Sequence, residues 1–469
     1  MIKVDFINIM NYKNIIISMI MHFSTFTYAQ ENVLKKKWSL SECINYSIQN
    51  NIDIQIQGLK SQSNQLDIKQ YNNERLFSLN GLFNNSQNYG RYLDPFNNSF
   101  SDQRTLNSNL SLNAEIVLYA GNYLNNKILI SKLGLQSSIL NNKKLENDII
   151  LLITTLYLEI LYQKDLINLA KEQLEMSQNQ LGIVEDLIIL GKQPKEDLYK
   201  IKSQVINDKI NLNNQKNTLK NNLLNLSNIM NIENKLLFDI QEIDEIPHSE
   251  YTSKNIEDIY VESLKSMPEI KAQEYNIRAS EVFQKNQRVK ALPMVSLGAN
   301  IYTGYSSSRT HIEGEYPYFD QFIDNYNGSI TLNVQIPIFN KFQTTTDNQK
   351  AKINYTESKL TLIKLKNNLF ENLQKAYNDV IIARSSHEDT EEVVILSTKI
   401  YKFTEEKYYS GVNNILELDI AKLALLKARL NFLQSKYTLV LKIKLLCRKR
   451  GSIALIIEIF FLLNFLYFH

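Results

Sequence analysis

The feature that most limits the folds open to this chain is that it contains one unit twice. Shifted against itself by 220 residues, Leu110-Ser111-Leu112-Asn113 meets Ile330-Thr331-Leu332-Asn333, Ile116 meets Ile336, Tyr119 meets Phe339, Tyr157 meets Tyr377, Gly191 meets Gly411 and Thr218-Leu219 meets Thr438-Leu439. A shift that holds over about 110 residues leaves almost no room for insertions, as expected of a repeat whose lengths are fixed by packing.

Within each copy the apolar spacing changes twice, which predicts helix, two strands, long helix, turn, helix. Residues 40–75 have helical spacing with Ser41 as N-cap, and 256–290 are their counterpart. Leu110, Leu112, Ala114, Ile116 and Leu118 then alternate with mostly polar neighbours, and Ile330, Leu332, Val334, Ile336 and Ile338 repeat the pattern. Such alternation predicts strands. Their partners are Phe77, Leu79, Gly81 and Phe83 in one copy and Pro293, Val295, Leu297 and 299–302 in the other, with Pro293 at a strand start. The polar, aromatic stretches 84–104 and 304–328 read as exposed loops whose Tyr89, Tyr92, Phe96, Tyr316, Tyr318, Phe319 and Tyr326 supply an interfacial aromatic belt.

No proline interrupts 122–190 or 341–410, so each predicts one helix of roughly 100 Å at about 1.5 Å per residue. The whole chain of 469 residues holds only 13 Gly and 7 Pro, a composition suited to long helices. Each long helix stops at a glycine, Gly191 or Gly411, and Pro194 opens the next helix. Leu198, Ile201, Val205, Leu212, Leu219, Leu223 and Leu226 form a heptad seam, matched by Leu418, Ala421, Leu425, Phe432, Leu439, Ile443 and Leu446. Matched seams predict antiparallel coiled-coil hairpins packed side by side.

Charged residues make up 22% and balance to +3, which excludes nucleic acid as a partner recognised by charge. The five histidines fall in unrelated segments, and no metal-binding, Cys-x-x-Cys or phosphate-cradling motif occurs. We therefore expect no enzyme, no catalytic residue, no cofactor and no metal site. Residues 1–29 read as a signal peptide: Lys13, an apolar core from Ile15 to Phe26, and Thr27-Tyr28-Ala29 before Gln30, with Met1 or Met10 as the start. Cys43 and Cys447 are too few for a disulfide framework.

Four half-apolar strands on an exported chain leave unpaired edges that a bilayer does not tolerate. Closure into a barrel requires several copies, and three leave a wider pore than two. An exported coiled coil that bridges envelope components without a pore is the alternative reading. It accounts for the heptads but not for strand pairs at matching positions in both copies.

Over 38–446 the residues resemble the TolC family. Trp38-Ser39-Leu40-Ser41-Glu42-Cys43 is similar to its usual start, and Pro337-Ile338-Phe339-Asn340 to the element that ends its last barrel strand. Leu118-Tyr119-Ala120-Gly121 is the first-copy version, with Val117 where the family often has Pro. Gly191 with Asp197 and Gly411 with Glu417 share the family's glycine followed six residues later by an acid.

The resemblance implies a mixed α and β membrane protein: a homotrimeric, twelve-stranded β-barrel in outer-membrane lipid, continued by a twelve-helix periplasmic α-barrel. It implies a passive exit duct for efflux or type I secretion, located in the cell outer membrane and extending into the periplasm. Its partners are a periplasmic adaptor (membrane fusion) protein and an inner-membrane efflux pump or ABC transporter. Gly191, Lys192, Gln193 and Pro194 with Gly411, Val412, Asn413 and Asn414 are the docking tips it implies. The resemblance also implies that Asp197 and Glu417 form the pore constriction, braced by Tyr408, which matches a family tyrosine, although Asn413 stands where the family often has Arg; the alternative is that the two carboxylates only favour helix N-termini.

On this reading 30–75 are N-terminal helices, 76–121 barrel strands, 122–232 a hairpin with its tip at 191–194, and 233–255 an equatorial linker. The second copy divides into a helix at 256–290, strands at 291–340 and a hairpin at 341–446 with its tip at 411–414. The tail at 447–469 matches neither the first copy nor the family and reads as a frameshifted end.

Overall fold

The computed structural model describes residues 37–449 apart from 94–97, 99, 102–103, 192, 234, 243–254 and 312–313. The signal peptide, most of the equatorial linker, Phe96, Lys192 and the tail beyond 449 lie outside the described residues.

In the first copy, β1 (Lys37–Trp38) leads into α1 (Leu40–Asn50) and α2 (Ile52–Asn73). A hairpin region follows, of β2 (Ser78–Asn88), β3 (Tyr92–Leu93), β4 (Phe100–Ser101) and β5 (Thr105–Tyr119). Then come α3 (Tyr123–Ile189), α4 (Lys195–Ile229) and β6 (Asp239–Ile240). The second copy has α5 (Ile256–Ser266), α6 (Pro268–Val289), β7 (Met294–Ser306), β8 (Thr310–His311), β9 (Gly314–Glu315) and α7 (Tyr318–Asp324). It ends with β10 (Asn327–Gln335), α8 (Gln343–Tyr409) and α9 (Ile415–Lys449).

The 220-residue shift is structural as well as textual. The helices α3 and α8 are both 67 residues long and α4 and α9 both 35, each pair offset by that shift. Even the left-handed residues before the long helices correspond, Gly121 and Asn122 to Lys341 and Phe342. Upstream of the strands the offset falls to 216, since Leu40 answers Ile256. The extra residues sit in the second strand-to-strand connection, which has room to fold a helix.

Four expectations need correction. The first N-cap is Ser39 rather than Ser41: its hydroxyl accepts from the Glu42 N–H while the Glu42 carboxylate accepts from the Ser39 N–H, a closed capping box. Residues 40–75 form two helices, because the Asn51 side chain accepts from the N–H groups of Asp53 and Ile54 and starts a second N-terminus. In the other copy the break falls at Met267, extended because Pro268 follows. The strand β10 stops at Gln335, since Pro337 has no N–H for a ladder, and Ile336 and Ile338 leave the sheet. The stretches 84–104 and 304–328 are partly regular: β2 runs on to Asn88, β3 pairs with β4 and β8 with β9, and α7 packs over β7.

The largest core sits where the first helices, the middle of the long helices and the parallel β1–β6 pair meet. Ile44, Ile153, Tyr157, Ile160, Leu226, Met230, Ile240 and Leu373 are almost wholly buried there. Trp38 packs edge-on against Tyr46 and beside Phe238, which gives the family-like opening residues a structural job. The Tyr157 hydroxyl donates to the carbonyls of Gln241 (2.7 Å) and Trp38 (3.3 Å), and Lys164 pairs with Asp239 at 3.0 Å. Burial pushes the Cys43 thiol up to about 12, with the Glu42 carboxylate adding to the effect. Cys43 and Cys447 are both buried and in no disulfide among the described residues; α9 runs through Cys447 to Lys449, beyond the expected boundary at 446.

Removal of the Tyr157 hydroxyl takes away a part-buried hydrogen bond to the Gln241 carbonyl, a net loss of about 0.5–1.5 kcal/mol. Tyr157→Phe is expected to lower thermal stability by that amount without changing the helical circular-dichroism spectrum.

Candidate functional site

The sheet runs in the order β10-β7-β5-β2, so the copies join through β5 and β7. All neighbours are antiparallel. The register sorts most side chains, though Leu82, Met294 and Val117 fall on the polar face and Asn85, Gln87 and Ser108 on the apolar one. Leu112 lies opposite Gly81 and Ile301, Ala114 opposite Leu79 and Ala299, and Ile116 opposite Leu297; Leu297 in turn faces Leu332, and Ala299 faces Ile330. One face is therefore apolar across all four strands, and Ile330, Leu332 and Leu79 on it are exposed. The other face carries Asn80, Asn109, Ser111, Asn113, Ser296, Asn300, Thr331 and Asn333. On it Asn300 donates to Asn113 at 2.7 Å and the Tyr302 hydroxyl to Asn109 at 3.0 Å. The edges, β2 and β10, have no neighbouring strand among the described residues.

Below the sheet the long helices lie in the order α4-α3-α9-α8. The second heptad seam is buried at Leu418, Ala421, Leu425, Leu439, Ile443 and Leu446, with Phe432 half-buried and stacked on His387. On the first seam Ile201, Leu212 and Leu226 are buried. Both flanks are apolar and open: Tyr199, Ile206 and Ile210 on α4, Leu360, Ile363 and Phe403 on α8.

The two tips lie side by side. Gly191 and Gly411 have φ of 70° and 76°, and the Val412 N–H donates back to the Lys407 carbonyl to close the second helix end. Gln193 donates to the Tyr408 hydroxyl at 3.0 Å, joining the first tip to the last turn of α8. Burial pushes the Tyr408 hydroxyl pKa up, the Gln193 hydrogen bond opposes this, and Asp197 and Asp419 add to it. Asn414 has a role not foreseen: its side chain accepts from the Glu417 N–H at 3.0 Å and caps α9. Asp197 is 9% exposed, with Lys200 at 3.5 Å, whereas Glu417 is exposed on the chain taken alone. Pro194 caps α4 with its backbone only, and Val412 is exposed.

A buried polar group about three turns from the tips was not legible. Lys422 donates to Ser177 (2.9 Å) and Gln180 (3.3 Å), Ser177 donates to Asp208, Gln204 also donates to Asp208 (2.9 Å), and Gln180 reaches Asp419 (3.3 Å). These residues tie α3, α4 and α9 together. Burial lowers the Lys422 pKa, and the Asp208 and Asp419 charges oppose that. Nothing in a heptad marks a lysine next to Ala421 as internal.

Among the described residues no three metal-binding side chains cluster and no helix is long and apolar enough to cross a membrane. A four-stranded sheet with one apolar face and two open edges stands on a row of paired long helices. Residues 259–442, most of the second copy, match the outer membrane efflux protein family. No curated protein matches the chain. Solved structures give the same fold: the CusC transmembrane channel (TM-score 0.73, 16% identity, 88% of this chain and 92% of that one). The Vibrio cholerae outer membrane protein VceC has TM-score 0.72 and 14% identity, over 88% and 96%. The Campylobacter jejuni CmeC outer membrane channel has 0.73 and 16%, over 88% and 85%. The fold is thus that of TolC-type channels over nearly its whole length.

A Lys422→Met substitution leaves Ser177 and Gln180 without their buried donor, at a cost of about 1–3 kcal/mol. Thermal melting should show that loss, and adding Asp208→Asn, which removes the uncompensated charge, should recover part of it.

Proposed function

We propose that the protein is a homotrimeric, passive exit duct of the outer membrane for efflux or type I secretion, driven by an inner-membrane pump through a periplasmic adaptor. The observation that carries this reading is the sheet register. An apolar face four strands wide suits lipid, and a polar face suits a water-filled lumen. Strand directions alternate, so β2 and β10 run opposite ways, and β10 of one copy accepts β2 of the next as an antiparallel neighbour. Closure of this kind removes every edge. Three copies supply twelve strands, and the open flanks of α4 and α8 then cover one another to form the twelve-helix periplasmic barrel. Residues 1–29 act as the export signal, and the tips, including Lys192 and Asn413, dock the adaptor. Asp197, Tyr408 and Glu417 line the constriction in this assembly.

Reconstitution in planar bilayers tests the reading: a detergent-stable trimer that conducts is expected, and a monomeric, non-conducting particle overturns it. Within it, Leu297→Arg places a charge in lipid at a cost of about 2–4 kcal/mol near the midplane, whereas Asn300→Arg faces water. The first should block trimer assembly and the second should not, as heat-modifiability on gels will show.

The tips make a separate expectation. A Cβ at Gly191 or Gly411 meets nothing within 4 Å, so only the positive φ resists substitution. Gly191→Val with Gly411→Val should strain the turns, leave trimers intact and weaken crosslinking to the adaptor. Undiminished crosslinking would remove the tips from the docking surface.

A further inference from the structure

The four long strands contain a single charged residue, Glu115; every other position on the polar face is neutral. In a chain with 22% charged residues this is a sharp local departure. Glu115 lies on the polar face with Asn113 and Ser111, four positions from the end of β5 that joins the helices. Across the sheet it faces Ser78 on one side and Gly298 on the other, so no side chain on β7 covers it. It is exposed, and among the described residues its carboxylate has no ion-pair or hydrogen-bond partner. The neighbouring amides satisfy one another, as Asn300 does with Asn113.

We infer that Glu115 is the charge-selecting residue of the barrel lumen, three copies forming a collar of carboxylates that favours small cations over anions near the periplasmic end of the barrel. The inference rests on the trimeric-channel reading. A lone fixed charge in a neutral wall sets the sign of the local potential without competition. Its reach depends on screening: the Debye length is about 8 Å at physiological salt and about 30 Å at 0.01 M. The collar therefore acts weakly on solutes passing through a wide lumen in ordinary salt and strongly in dilute salt. This separates it from a constriction, where carboxylates approach closely and screening matters less.

The test uses full-length trimers carrying Asp197→Asn and Glu417→Gln, so that tip carboxylates do not dominate the current. Reversal potentials in a potassium chloride gradient give the cation preference at low and physiological salt. Adding Glu115→Gln should reduce that preference by about half or more near 0.01 M salt, where the Debye length is about 30 Å, and by much less at 0.15 M. A second variant, Glu115→Cys in the same background, is modified after insertion, so folding is already complete. A cationic methanethiosulfonate should shift selectivity toward anions, and an anionic one should restore the cation preference. The buried Cys43 and Cys447 make the parent trimer insensitive to both reagents. Conducting trimers whose reversal potential ignores Glu115→Gln and both reagents overturn the inference while leaving the channel reading intact. Absence of any conducting trimer before substitution overturns the channel reading, and the collar with it.

Discussion

Backbone hydrogen bonding between β5 and β7 is the interaction on which the rest of this structure depends. It joins the second strand of one copy to the first strand of the other, and the two half-sheets become one four-stranded surface. Each hairpin alone would be a marginal two-stranded ribbon. Joined in register, they align Leu112 with Ile301 and Ala114 with Ala299, which makes the apolar face continuous. The same pairing consumes two inner edges and leaves two outer ones, β2 and β10, without a neighbouring strand among the described residues.

The helices carry the consequences of that joint downward. Because α3 follows β5 and α6 precedes β7, the pairing also sets α3 and α6 side by side, and the long hairpins follow as a row. The offset of 220 residues keeps both hairpins the same length, so their tips end at one level. A bond such as Gln193 to Tyr408 is possible only because of that equality. Yet the tips are not equivalent: Asn414 caps its helix through a side chain where Pro194 has none to offer, and Asp197 is buried where its counterpart Glu417 is exposed. A duplicated backbone here carries two differently specialised ends.

Polar groups inside the helical row follow another logic. Lys422, Ser177, Asp208 and Gln180 satisfy one another within a seam otherwise held by aliphatic contacts. Such a group fixes the register of three helices, since a shift of one turn would strand buried donors and acceptors. The Tyr157 clamp on the β1–β6 pair does the same at the other end of the hairpins.

Much of this was determined by the sequence alone. Period-two alternation at 110–118, proline-free stretches ending at Gly191 and Gly411, and the matched heptads each reflect local rules: side-chain direction, backbone hydrogen bonding and the tolerance of glycine for positive φ. Those rules act over a few residues and are written in the order of the residues. The tertiary structure decided which strand pairs with which, that Ser39 and Asn51 rather than Ser41 cap the first helices, that Pro337 ends β10 before Ile338, and that Lys422 turns inward to Ser177. The strand pairing and the inward turn of Lys422 depend on partners distant in sequence, whose positions in space are set only once the chain has folded, whereas the caps and the stop at Pro337 are choices between neighbouring candidates that packing decides.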